Sequence, residues 1–188
     1  MQFMKWCLPA LGFAVLGIPA MCGAFDIQLT QEQIKEAHEY GAKYRGKEIF
    51  VSPVGKSACF GEYPGGDGGL IMSTYMRIAV SAAMRALKNE TLTPQDLKEL
   101  AASKTFNVVV SVPEDSAQTP EDVHVLLVQG TNTILPQKIE LGMKYKDKRQ
   151  GIVGVFSYDK INPKANTTIV VKARNDERKF KIDFSDVK

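Results

Sequence analysis

Apolar positions recur with helical spacing over the first half of the chain and alternate over the second. Between residues 30 and 46, Ile34, Ala37, Gly41 and Tyr44 fall on one face. Glu32, Lys35, Glu36 and Lys43 lie mainly on the others. That spacing predicts an amphipathic helix. Thr30 with Gln33 three residues on has capping-box spacing, and Gly46 is a natural stop. Ser73 caps a second helix reaching about Lys88. Tyr75, Met76, Ile78, Ala79, Val80, Ala82, Ala83, Met84, Ala86 and Leu87 make it apolar over most of its circumference. Arg77, Ser81 and Arg85 form one narrow polar stripe, so this helix is expected to be buried at the centre of its layer. Thr93-Pro94 opens a third helix, reaching about Ala102. The segment from Lys47 to Gly69 is dense in Gly and Pro. It predicts a long loop with at most a short extended piece at 48–52.

After Lys104 the period changes to two. Phe106, Val108 and Val110 alternate with Asn107, Val109 and Ser111; Val123, Val125 and Leu127 alternate with His124, Leu126 and Val128. Further strands are expected at 133–141, 151–158, 167–173 and 179–184. The short connections favour antiparallel pairing. The expected fold is α+β: an N-terminal three-helix layer packed on an antiparallel β-sandwich-like region of about six strands. Residues 25–104, helical with a Gly-rich loop, and residues 105–188, the β part, are expected to form one compact unit.

The opening residues have a different pattern. Lys5 is followed by an uncharged run from Cys7 to Met21. Cys22-Gly23-Ala24 then places small residues at the −3 and −1 positions of a cut before Phe25. This predicts a signal peptide over residues 1–24 and an extracytoplasmic location, periplasmic or secreted. The alternatives are an uncleaved anchor and lipidation at Cys22. Cleavage removes Trp6, Cys7 and Cys22. Cys59 then stands alone, so no internal disulfide is available. No membrane span is expected in the mature chain.

Composition narrows the class. The chain has 188 residues, 44% hydrophobic and 24% charged, which excludes wholesale disorder, a coiled-coil rod and a collagen-like chain. A balance of 24 Lys+Arg against 21 Asp+Glu points to no nucleic-acid partner. No nucleotide, haem or zinc-type motif is present, and no cofactor is expected.

Three sets of residues could carry chemistry. A cysteine nucleophile needs a thiolate and a base. Cys59 is the one candidate, with His38 or His124 as base. Loop residues Lys144, Tyr145, Lys146, Lys148 and Arg149 could meet an anionic surface. Loop carboxylates Glu114, Asp115, Glu121 and Asp122 could contribute to a calcium site. The two charged loops share one end of the sheet if the strands run up and down. The leading expectation is a non-enzymatic binding or interaction module whose partner is a protein or another envelope component. The alternatives are a small extracytoplasmic enzyme using Cys59 and a calcium- or envelope-associated structural protein.

Overall fold

The computed structural model describes residues 25, 28–174 and 176–188; the expected leader lies outside them. Five helices and nine strands form among the described residues. The helices are α1 (Gln31–Lys43), α2 (Glu48–Val51), α3 (Pro53–Ala58), α4 (Thr74–Leu87) and α5 (Pro94–Ala101). The strands are β1 (Cys59–Gly61), β2 (Gly68–Met72), β3 (Thr105–Pro113), β4 (Val123–Gln129), β5 (Asn132–Ile134), β6 (Lys138–Lys144), β7 (Arg149–Ser157), β8 (Thr167–Ala173) and β9 (Asp176–Ile182). The fold is α+β with two antiparallel sheets. One has five strands in the order β1-β2-β3-β7-β6, the other four in the order β5-β4-β8-β9.

Local sequence explains the helix ends. The Thr30 hydroxyl accepts from the Gln33 N–H, and Gln33 Oε1 accepts from the Thr30 N–H at 2.7 Å, closing the capping box of α1. Ser73 Oγ accepts from the Met76 N–H at the head of α4. Thr93 and Asp96 cap α5 reciprocally, with Pro94 in its first turn.

Three expectations need correction. Residues 47–69 do not form one long loop. Ser52 Oγ accepts from the Gly55 N–H, and Pro53 starts α3 behind it. The glycines that follow allow close backbone approach, so β1 and β2 form a hairpin and β2 pairs with β3. Residues 25–104 therefore supply two strands as well as helices. Second, α4 is not buried all round. Tyr75, Met76, Ile78, Ala79, Ala82 and Ala83 are buried, whereas Met84 and Leu87 are exposed. Packing by α1 covers one side of the helix and leaves that one open. Third, residues 133–141 do not form one strand. Pro136, which has no N–H, separates β5 in one sheet from β6 in the other.

Alternation sets the interior. Phe106, Val108 and Val110 stand opposite Phe156, Gly154 and Ile152. Val123, Val125 and Leu127 stand opposite Ala173, Val171 and Ile169. All but Gly154 belong to one hydrophobic cluster. A Cβ at Gly154 would lie 3.4 Å from Val125 Cβ, so β7 approaches β4 of the other sheet. Phe60 on β1 and Phe180 on β9 bring the sheet edges together, with ring centroids 5.2 Å apart. Phe25 packs against Phe106, Tyr158 and Phe184 at 5.0, 5.2 and 4.3 Å. No helix among the described residues is long and apolar enough to cross a membrane.

Candidate functional site

The strongest convergence of charged loops lies where β3, β4, β6, β7, β8 and β9 begin or end. Lys144 Nζ donates to Glu114 Oε1 at 2.6 Å, and the Glu114 N–H donates to the Lys148 carbonyl at 2.9 Å. These bonds join the β3–β4 connection to the β6–β7 turn. Arg174, after β8, reaches Asp115 at 4.0 Å. The order is not the simple up-and-down succession assumed above, yet three loops meet. The β3–β4 connection and the β6–β7 hairpin frame a cleft of about 770 Å³ lined by Pro113, Asp115, Ala117, Gln118, Leu141 and Lys148, among others. Gln150, buried, sits at its inner wall and donates to the Gly142 carbonyl at 2.8 Å.

Arg149 faces elsewhere. Its guanidinium donates to Asp147 Oδ2 at 2.7 Å, to the Pro64 carbonyl at 2.9 Å and to the Gly66 carbonyl. It clasps the β1–β2 turn. Arg178 on β9 pins the same turn through Asp67 Oδ1 at 2.8 Å. The Tyr145 and Tyr63 hydroxyls lie 3.5 Å apart. Burial, then the hydrogen bond with Tyr145, pushes the Tyr63 phenol well above its ordinary range. Lys146 is exposed. The basic set is therefore divided: Lys144 and Lys148 line the cleft, and Tyr145 and Arg149 hold a neighbouring turn.

The register places Gly61, Gly68, Ser111 and Gly151 in one row across four strands. Tyr145 lies beside this row, its Cε2 3.5 Å from where a Cβ on Gly151 would be. Ser111 Oγ is the one buried side-chain N or O atom among the described residues without a hydrogen-bond partner.

The carboxylate set does not gather. Glu114 is held by Lys144, and Asp115 faces Arg174. Asp122 accepts from the backbone N–H groups of Thr119 and Gln118, and the Thr119 N–H bond above all holds it below the usual carboxylate range. Glu121 is exposed. Among the described residues, no group of three or more His, Cys, Asp or Glu side chains is placed to hold a metal.

The thiol is also placed apart from its proposed bases. Cys59 Sγ donates to the Gly55 carbonyl at 3.1 Å, and burial raises its pKa. His38 Nε2 lies 3.1 Å from Thr91 Oγ1. His124 is exposed on β4, in register with Lys172. A raised thiol pKa is the reverse of what a nucleophile needs.

Sequence reasoning placed Arg178 in a charged loop at this end but missed Pro64, Gly66 and Asp67 as partners in the cluster. They are 83 to 111 residues apart in the contacts they make. No protein-family model, curated protein or solved structure matches the chain.

Proposed function

We propose that this chain is an exported, non-enzymatic interaction module that holds a protein partner at the loop end of its two sheets. The observation that carries the reading is the cleft between residues 113–118 and the β6–β7 turn. Its walls are cross-braced by the Lys144–Glu114 and Lys148–Glu114 bonds. Braced loops on a sheet scaffold form a preorganised binding surface. Leu141, Ala117 and Pro113 offer apolar contact, and Lys148 offers a cation with no ion pair to another described residue. An acidic peptide segment with one apolar side chain fits that chemistry.

The leader pattern at residues 1–24 supports export. The facing sheets and the long helices α1, α4 and α5 support a sandwich-like β region carrying a helical layer, in one compact unit from about residue 25. The enzyme and calcium readings lack comparable support. Cys59 has no basic partner among the described residues, and the loop carboxylates Glu114, Asp115 and Asp122 are separately engaged.

A photo-crosslinking residue in place of Gln118 tests the reading in cells. A discrete crosslinked protein that disappears with Lys148→Glu is the expected result. No crosslinked protein, or one indifferent to Lys148→Glu, overturns it. N-terminal sequencing of the accumulated protein tests export, with Phe25 expected first.

A further inference from the structure

Three of the large apolar side chains left open on the surface lie on neighbouring helices. Val51 on α2 is 60% exposed, and Met84 and Leu87 on α4 are 45% and 60% exposed. The chain between α1 and α2 closes onto the end of α4: the Gly46 N–H donates to the Ala83 carbonyl at 2.9 Å. The Leu87 side chain stands over Gly46, 3.2 Å from where a Cβ there would be. Arg45 and Lys47 flank that glycine, Lys43 ends α1, and Lys88 follows Leu87.

All four cations are exposed, and none forms an ion pair with another described residue. The nearby carboxylates are few. Glu90 is taken by Arg85 at 2.7 Å and Glu39 faces Lys35, leaving Glu48 as the acid within this stretch. Half-buried Tyr44 sits beneath Lys43, whose ammonium is 5.5 Å from the ring centroid.

We propose that this face seats the protein on a lipid surface bearing anionic headgroups. Leu87, Met84 and Val51 enter the interfacial zone while Lys43, Arg45, Lys47 and Lys88 meet the headgroups. Charge complementarity selects the occupant. Apolar side chains alone suit any covering surface, but four unneutralised cations near them favour a dense field of negative charge. Neither component is strong alone; surface anchoring takes two signals, and both are present here. The face uses none of the residues of the loop-end cleft, so it stands or falls separately from the proposed partner site.

Vesicle co-sedimentation of the protein as recovered from cells tests this. The two compositions are phosphatidylcholine alone and equal parts of phosphatidylcholine and phosphatidylglycerol. A retained leader carries Lys5 and an α-amino group, so the loss of preference in variants of this face is the readout. Preferential binding to the anionic vesicles is expected. It falls roughly 30-fold in Lys43→Gln/Lys47→Gln, from about fivefold per cation, and falls also in Met84→Ser/Leu87→Ser. These positions are exposed, and unchanged circular dichroism verifies folding. Equal binding to both compositions overturns the proposal. So does a preference that survives both double variants, or one abolished instead by Lys144→Gln/Lys148→Gln. Self-association in lipid-free sedimentation that Leu87→Ser abolishes also overturns it, because a second copy then covers the face.

Discussion

Arg178 and Asp67 meet at 2.8 Å across 111 residues of sequence, tying β9 to the turn between β1 and β2. Arg149 holds the same turn from the other side through two backbone carbonyls. A glycine-rich turn whose packed side chain is Tyr63 is thus also held by two guanidinium groups. Removing either should release it.

Arg149→Ala is expected to cost about 2 kcal/mol, because charge-assisted bonds to Asp147, Pro64 and Gly66 are lost together. Urea unfolding measures the loss, and hydrogen exchange at residues 62–67 should quicken. Arg149→Lys should recover little, since one ammonium does not reproduce the planar fork. Full recovery by lysine would show that charge, not geometry, does the holding.

Gly41→Ala is expected to destabilise the protein by about 1–3 kcal/mol. A Cβ there overlaps the Ala79 carbonyl oxygen and comes within 2.8 Å of Ala82 Cβ. Both belong to α4, so the two helices would have to separate. Thermal unfolding with no fall in melting temperature would disprove this account of the α1–α4 crossing.

Acid should destabilise the fold through its engaged carboxylates. Glu177 is held down to about 2 by hydrogen bonds from Lys172 and then Lys179. Asp96 and Asp122 are lowered by the backbone N–H groups of Thr93 and Thr119. Unfolded Asp and Glu titrate near about 3.9 and 4.3. A lowered folded pKa gives stability that is complete above those values and lost as pH falls through the folded one. The melting temperature should therefore drop below about pH 4. The gap between the parent and Glu177→Gln should narrow as pH falls from about 4 towards 2. A gap that is constant with pH would refute the assignment to Glu177.

Cys59 should label slowly in the folded protein near neutral pH, with an apparent pKa above the ordinary thiol value of about 8.5. The unfolded chain should label faster. Mass spectrometry of both samples reads the rates. Rapid labelling of the folded protein would restore the thiol as a candidate nucleophile.

Where local patterning dominates, the elements are legible in sequence. The Thr30–Gln33 and Thr93–Asp96 caps and the alternating runs around Phe106, Val123 and Ile169 all act within a few residues. Pro136 was readable in principle, because a residue without an N–H cannot sit inside a ladder; the apolar residues around it masked the break. The β1–β2 hairpin was hidden for a different reason. Its glycines signal a turn or a close backbone approach equally well, and only the partner strand β3 distinguishes the two. The open side of α4 was hidden because apolar content specifies what a helix can bury, not how much of it neighbours will cover. In the candidate site, the charged loops were visible as clusters. Their pairing was not: Glu114 with Lys144, and Arg149 with the Pro64–Gly66 turn, depend on strand order.

Phe25 gives the proposed cut after Ala24 a further meaning. The ring that would follow a cut after Ala24 is a core ring, packed against Phe106, Tyr158 and Phe184. Trimming one residue too far would leave a benzyl-sized hole in the aromatic cluster. A product that lacks Phe25 would therefore be less stable than one that begins with it.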